Sequence, residues 1–506
     1  MTDALEVLKK QEPDLGRLRV FAGANAQTHF LATAELKLHR KICASLEEAI
    51  SKSELKNGMT ISFHHAFREG DKVINTVVDA LAKLGFKDMT LAASSLLSCH
   101  DPLIEHIKTG VITRIYTSGL RGKLGEAISN GLLPHPVQIH SHGGRVNLLQ
   151  TGELAIDVAF LGVSCCDEFG NASGSHGKLI CGSLGYAMID AQYARKVVLL
   201  TEEIQAFPSH PASISQDRVD FVVTLAQVGD PSLISSGATR DTKDPRDLLI
   251  AGLAVDVIEH SGYFNQDFSL QTGTGGASIA ATRFLEDRMS RKGITASFAL
   301  GGITSGMVDL HKKNLIATIV DVQSFDSDAA ESLRTDTNHI EITANEYANS
   351  ASKAAYVDRV DVVILAALEI DIDFNVNVIT GSDGLMRGAS GGHCDVAAGA
   401  NLTIIVVPLV RGRIPSVVRN VTTLVTPGES VGVLVTDHGI AVNPKRPEVE
   451  KRLRDAGLPV VTIQELQKRA IALTGEPEPL EFEDRIVGVI RYRDGSVIDV
   501  VRKVKS

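Results

Sequence analysis

Two glycine-rich loops, one helix apart, are the part of this chain best suited to chemistry. The first is Gln271-Thr272-Gly273-Thr274-Gly275-Gly276. A helical run follows (Ala280, Ala281, Phe284, Leu285, Arg288) and Gly293 ends it. Ile294–Leu300 then reads as a short apolar strand that delivers the second loop, Gly301-Gly302-Ile303-Thr304-Ser305-Gly306. Loops beyond the carboxyl ends of parallel strands are where α/β proteins bind ligands. Glycine lets backbone N–H groups approach a phosphate or a developing oxyanion. The first loop is not GxGxxG, and no acidic residue follows at the distance that would meet a ribose, so a nicotinamide oxidoreductase is not expected. A polar loop, His64-His65-Ala66-Phe67-Arg68-Glu69-Gly70-Asp71, follows the strand Met59–Phe63. His135, His140 and His142 cluster without paired carboxylates or thiols, which suits solvent or substrate contact better than a metal.

The elements that must hold these loops alternate between strand and helix. Reading onward from Met59–Phe63, the helices are Lys72–Leu84 and Leu103–Lys108, and the strands are Met89–Ala93, Val111–Tyr116, Val158–Val163, Val197–Thr201 and Val219–Leu225. Arg121 and Lys123 lie in a glycine-punctuated segment, and His140–Arg145 precedes a helix ending near Gly152. Ala34–Lys52 has helical spacing, and residues 229–247 are the best candidate linker. Further strands are expected at Leu402–Pro408 and Val431–Thr436, helices at Glu448–Ala456 and Ile463–Leu473, and a terminal hairpin across Asp494-Gly495. The expected class is α/β with mostly parallel sheets.

The second half repeats the first. Gly58–Phe63 matches Gly293–Phe298 at an offset of 235, Asp157–Leu161 matches Asp361–Leu365 at 204, and Val197–Leu200 matches Asn401–Ile404 at 204. Two domains are expected, residues 1–235 and 236–506. The net charge of −10 argues against nucleic acid or an anionic membrane as partner. No apolar run reaches the roughly 18 residues that span a bilayer, and the N-terminus lacks a signal core. Six scattered cysteines without CxxC suit a reducing cytoplasm.

Several motifs together carry a resemblance: Ala367-Leu368-Glu369-Ile370-Asp371, Gly381-Ser382-Asp383-Gly384, Arg387-Gly388-Ala389-Ser390-Gly391-Gly392 and Thr436-Asp437-His438-Gly439-Ile440-Ala441. They resemble the CoA-transferase superfamily. With Gly58–Asp71, Cys165–Ala172 and Gln271–Gly276, nearly the whole chain is similar to the alpha subunits of bacterial citrate lyase. That resemblance implies two tandem CoA-transferase-like (NagB/RpiA-like) domains with the site between them. It implies exchange of acetate for citrate on the thioester of an acyl carrier protein. It also implies beta and gamma (carrier) subunits as partners, several copies within the complex, and no tightly bound cofactor. The thiol acted on belongs to CoA or to the carrier's dephospho-CoA-derived prosthetic group.

The resemblance also assigns roles. Covalent CoA-transferases carry a glutamate nucleophile on the second-half strand end. Ser305 is expected at that position, with no acid before Asp309, so Thr304 and Ser305 are the loop's catalytic candidates and direct transfer through a mixed anhydride is expected. His64, His65 and Arg68 are expected to hold citrate carboxylates. Gln271, Thr272, Gly273, Gly275 and Gly276, with Gly301 and Gly302, are expected to contact the thioester and its arm. Ser382, Asp383, Gly384, Arg387, Gly391, Gly392 and His393 are expected beside them, Arg387 either on a phosphate or in an ion pair. Cys394 is expected to be a buried, inert thiol. Glu369 is either an orienting or basic group or a carboxylate that holds the glycine loops. Three other readings remain open: a citramalate lyase alpha subunit, an acetyl-CoA hydrolase or CoA-transferase with a glutamyl intermediate, and a non-catalytic scaffold.

Overall fold

The computed structural model describes Lys10, 41–234 and 242–505, and from Ile42 onward two mostly parallel sheets, each built on one central buried strand, carry the chain. The first half supplies β1 (Ile42–Cys43), β2 (Thr60–Phe63), β3 (Met89–Ala93), β4 (Ile112–Thr117), β5 (Val137–Ile139), β6 (Val158–Gly162), the short antiparallel pair β7 (Cys165–Cys166) and β8 (Ala172–Ser173), β9 (Lys196–Thr201) and β10 (Phe221–Thr224). The second supplies β11 (Ser269–Thr272), β12 (Ala296–Ile303), β13 (Ile316–Ser324), β14 (His339–Glu341), β15 (Val362–Ala366), β16 (Glu369–Asp371), β17 (Val376–Asn377), β18 (Leu402–Val406), β19 (Val410–Arg411), β20 (Ile414–Pro415), β21 (Val417–Val418), β22 (Val433–Thr436), β23 (Gly439–Val442) and β24 (Val460–Val461). The last two strands, β25 (Phe482–Arg491) and β26 (Val497–Val504), form the hairpin expected across Asp494-Gly495.

The duplication is topological. One sheet runs β10-β9-β6-β2-β3-β4-β5 and the other β22-β18-β15-β11-β12-β13-β14, so β2 and β11 are counterparts. The same side chains start both. Asp157 Oδ2 accepts from Thr60 N at 2.9 Å, and Asp361 Oδ2 accepts from Ser269 N at 2.9 Å. Asp167 closes its turn by accepting from Asn171 N at 3.1 Å, as Asp371 does from Asn375 N at 3.0 Å. The carboxylates of these pairs keep the 204 offset. The match at 235 does not survive: Phe298 lies on β12, the counterpart of β3. The alternation of apolar residues is common to neighbouring parallel strands, so it could not fix which strand was matched. The Val197 match is also out of register, because Lys196 and Leu402 face the equivalent residues Val158 and Val362.

The hairpin β25–β26 lies within 236–506 but pairs with the first sheet, Gly488 opposite Val137. The chain therefore crosses back over the expected boundary. Of the helix expected over Ala34–Lys52, Leu46–Lys52 is present and 34–40 lie outside the described residues, as do 235–241 of the expected linker. From Ile42 onward the chain is one compact unit with a shared core between the sheets. Fully buried Phe63 and Phe160 stack there at 5.9 Å, and burial of such a ring contributes about 2–3 kcal/mol. Polar ties lock the halves together: Leu120 N donates to Gly388 O at 3.0 Å and Ser141 Oγ donates to Asp395 Oδ1 at 2.7 Å.

Candidate active site

Strand ends from both sheets converge on one cavity of about 540 Å³. The first half contributes His65, Arg68 and Glu69 after β2, Ser95 and Ser98 after β3, Ser118 and Arg121 after β4, and His142 and Tyr186 from two helix starts. The second contributes Gln271–Gly275, Gly302, Gln323, Phe325, Tyr347, Leu365–Leu368 and Arg387–His393. Every contributing strand points its carboxyl end here, as expected for a parallel sheet.

The first-half wall is cationic and poorly compensated. Arg68 is 5% exposed, sits over the Phe325 ring at 4.7 Å, and leaves its Nε without a hydrogen-bond partner. Its φ of +52° is a left-handed conformation that costs an L-residue about 1–2 kcal/mol. Strain and an orphaned donor in one cavity-lining residue point to function. Burial, reinforced by nearby Arg121, pulls the Arg68 guanidinium down to about 10, and burial lowers Arg121 as well. Glu69 is the sole carboxylate in the cavity wall among the described residues, and its Oε2 accepts from Cys99 N at 3.2 Å. His65 Nδ1 meets Ser94 Oγ at 2.5 Å. The rings of His65 and His142 pack on Tyr186, with centroids 5.6 and 4.4 Å away. Burial and neighbouring arginines push His65 well below its ordinary range and His142 to about 3, so both are neutral at pH 7.

The facing wall is made of backbone and uncharged polar groups. Gly273 N donates to Ile364 O at 2.7 Å, which fixes the glycine loop to β15. Gly275 has φ +113°, and a Cβ there would stand 2.9 Å from Ala366 Cβ, so no other residue fits this bend. The helix Gly276–Lys292 starts immediately after, directing its first N–H groups at the loop. Gln271 Nε2 donates to Tyr347 OH at 2.9 Å, while Gln271 Oε1 and Thr272 Oγ1 are buried without partners. Gln323 Nε2 donates to the His65 carbonyl at 3.0 Å and so ties the two walls together.

The sequence candidates divide. His65, Arg68, Gln271, Thr272, Gly273, Gly275, Gly302, Arg387, Gly391, Gly392 and His393 line the cavity; His64, Gly276, Gly301, Thr304, Ser305, Glu369, Ser382, Asp383 and Gly384 do not. His64 is buried away from it, near the Gly162 carbonyl and Asp190. Ser305 starts a helix with its N–H on Asp326 Oδ2 at 2.6 Å, and Thr304 is that helix's buried N-cap. The residue of this strand end that faces the cavity is Gly302, where a Cβ would collide with Phe325. A bulge at Gly301/Gly302 shifts the register of this strand end against β13. Glu369 is consumed as a structural acceptor for Asn377 Nδ2 and Thr422 N, both at 2.9 Å. Arg387 bridges Glu126 and Asp383, each at 2.6 Å, in the ion-pair role. Both His393 nitrogens are engaged, by Thr426 Oγ1 at 2.7 Å and Ala366 O at 3.2 Å. Cys394 is buried, and burial raises its thiol out of reach of deprotonation. Tyr186, Tyr347 and Gln323 were not singled out in the sequence, and Arg121 and His142 received no specific role; the signal available for Arg121, His142 and Tyr186 was position, because each stands at the start of a helix at the same sheet edge. Among the described residues no group of histidines, cysteines and carboxylates has metal-binding geometry, and no helix is long and apolar enough to cross a membrane.

Comparison with known proteins follows this geometry. The family model for the citrate lyase alpha subunit matches residues 39–504. The citrate lyase alpha chain of Klebsiella pneumoniae is 64% identical over 506 residues, covering 100% of both chains. That of Escherichia coli (strain K12) is 64% identical over 489 residues, covering 97% of this chain and 95% of the relative. The alpha subunit of citrate lyase from Streptococcus mutans, solved in complex with citrate, superposes with a TM-score of 0.91 at 50% identity, covering 97% and 96% of the two chains. A malonate decarboxylase alpha subunit from Acinetobacter baumannii shares the fold, with a TM-score of 0.63 at 16% identity over 87% of this chain and 94% of that one.

Proposed function

The chain belongs to the citrate lyase alpha-subunit family, and from that premise we propose that it exchanges acetate for citrate on a carrier-borne thioester: acetyl-S-carrier plus citrate gives citryl-S-carrier plus acetate. The observation that carries this reading is the pair of guanidiniums, buried Arg68 and half-buried Arg121, facing a glycine loop across one cavity. The first wall suits a polycarboxylate and the second suits a thioester carbonyl. A citrate carboxylate oxygen attacks the acetyl carbonyl, the C–S bond breaks, and a thiolate and a mixed anhydride form. The thiolate then attacks the citryl carbonyl and acetate leaves. No net proton moves, so positioning and oxyanion stabilisation are the protein's main tasks. Arg68 and Arg121 hold the carboxylates in a water-poor site, and the amides around Gly275 stabilise the oxyanion. The carrier's arm supplies the thiol, and beta and gamma subunits complete the complex in a reducing cytoplasm.

The test uses acetyl-CoA and citrate with the isolated chain, follows citryl-CoA by mass spectrometry and searches the protein for acyl or CoA adducts. Citryl-CoA without an adduct supports direct transfer. An adduct on Glu69, the cavity's carboxylate, establishes a covalent route instead. Absence of product even with the carrier supplied overturns the activity. Parallel rates with citramalate decide the acceptor.

A further inference from the structure

From Val396 to Gly428 the chain contains no aspartate or glutamate but three arginines, in a protein whose net charge is −10. Part of this stretch folds as the tight hairpin β19–β20, with Val410 opposite Pro415 and Arg411 opposite Ile414. Gly412 and Arg413 form an exposed tip, and Ile414 beside them is 39% exposed. Arg413 has no ion-pair partner among the described residues.

The hairpin is tied to the cavity wall at one end and to the neighbourhood of the glycine loop at the other. Arg411 Nη2 donates to the carbonyl of Leu368, which lines the cavity, at 2.5 Å. Arg246 Nη1 donates to Val410 O at 3.1 Å. Arg246 precedes Asp247, whose carboxylate stands beside Gly276, next to cavity-lining Gly275. The Nε atoms of Arg246 and Arg411 are buried and without partners, so these two arginines anchor the hairpin and Arg413 is its exposed cation. The nearby acids are occupied: Asp244 caps its helix, Asp247 accepts from Thr242 Oγ1 at 3.0 Å, and Glu369, whose charge acts on Arg411, accepts from Asn377 Nδ2 and Thr422 N.

We infer that the β19–β20 hairpin, with Arg246, is the seat of an acidic protein surface that presents its thioester arm to the glycine loop. The inference rests on the proposed carrier-borne substrate. An acidic partner is repelled by the chain as a whole, so local cations must steer and hold it. Exposed Ile414 gives that contact a small apolar centre beside the charges. Rim charges of this kind act mainly on encounter and are screened by salt.

The experiment compares Arg413→Glu and Arg413→Lys in the full chain on three thioesters: acetyl-carrier, acetyl-CoA and acetyl-pantetheine. Arg413→Glu is expected to raise KM for the carrier substrate about tenfold at low salt, with the gap closing as salt is added. The same variant should match wild type on both small thioesters, and Arg413→Lys should retain carrier affinity. A KM for the carrier unchanged by Arg413→Glu overturns the inference. A defect of equal size on all three thioesters also overturns it, as a general structural effect. A defect on acetyl-CoA but not on acetyl-pantetheine overturns it by assigning Arg413 to a phosphate. If the wild type turns over the small thioesters with citrate but not the carrier, docking fails while the transfer chemistry stands. Failure on all three overturns both.

Discussion

The loops that leave β2 and β11 occupy the same place in two copies of one frame, yet their chemistry is opposite. After β2 the chain presents His65, Arg68 and Glu69; after β11 it presents Gly273, Thr274 and Gly275. One loop offers charged and ionisable side chains at the cost of burial and a left-handed arginine. The other offers backbone dipoles and has almost no side chains to desolvate. A duplicated sheet can thus keep its framework while dividing recognition of an anion from activation of a carbonyl between its halves.

Breaking the charged loop is expected to have the largest effect. Arg68→Met should weaken citrate binding about 100-fold or more, the cost of removing the more buried of two cations facing an anion. Thermal stability should not fall, because an unpaired buried charge is removed. Calorimetric titration beside a thermal melt checks this; lost stability with intact citrate affinity would make Arg68 structural. Gly275→Ala breaks the other loop. It should lower kcat about 10- to 100-fold while leaving citrate KM within about twofold, since it displaces oxyanion donors and not cations.

The histidines sharpen the contrast through pH. His142, held at about 3, and His393, at about 4, are depressed from 6.5. The unfolded chain therefore binds more protons than the native one below that value. Their stabilising contribution is complete above about pH 6.5 and is lost progressively as pH falls toward 4 and then 3. Asp395, raised by burial to about 6, works in the opposite direction, favouring the fold when protonated. Denaturant melts between pH 7 and 4 should show a net loss that saturating citrate reduces, because an anion beside His65 and His142 raises their proton affinity. Titration of citrate in two buffers of different ionisation enthalpy should accordingly record more proton uptake at pH 5 than at pH 7; equal uptake at both would leave the histidines as neutral donors. The smallest effects belong to the shared frame. Asp157→Ala should cost about 1 kcal/mol by denaturant melt, and Asp361→Ala somewhat more, since Asp361 also accepts from Asn401 Nδ2.

What the sequence made legible follows the range of the physics involved. Strand and helix identity came from local apolar spacing, so Met89–Ala93 and Leu103–Lys108 appear with the expected bounds. The Asp157–Asp361 correspondence was legible because identical turns need identical capping side chains. The Gly58–Gly293 match misled because a buried parallel strand of small and apolar residues resembles its neighbours. Glycine loops were visible as composition. Arg121, His142 and Tyr186 had little local signal, since what makes them a site is convergence of separate strand ends. Ser305 is a catalytic candidate in sequence, and the role of Glu369 stays open there, because their partners, Asp326 and Thr422, follow only after the next strand or are distant.

The hairpin β25–β26 also sets an order of events during synthesis. Val137 on β5 faces Gly488, so the edge of the first sheet is left unpaired until the final strands leave the ribosome. At about 5–20 residues per second that interval is on the order of half a minute. An open parallel edge of that duration invites pairing with other chains. Nascent chains therefore face their greatest risk of misassembly after the first half is made, and a chain truncated before Phe482 retains that risk permanently. Emergence of the last residues, not completion of the second sheet, closes the first.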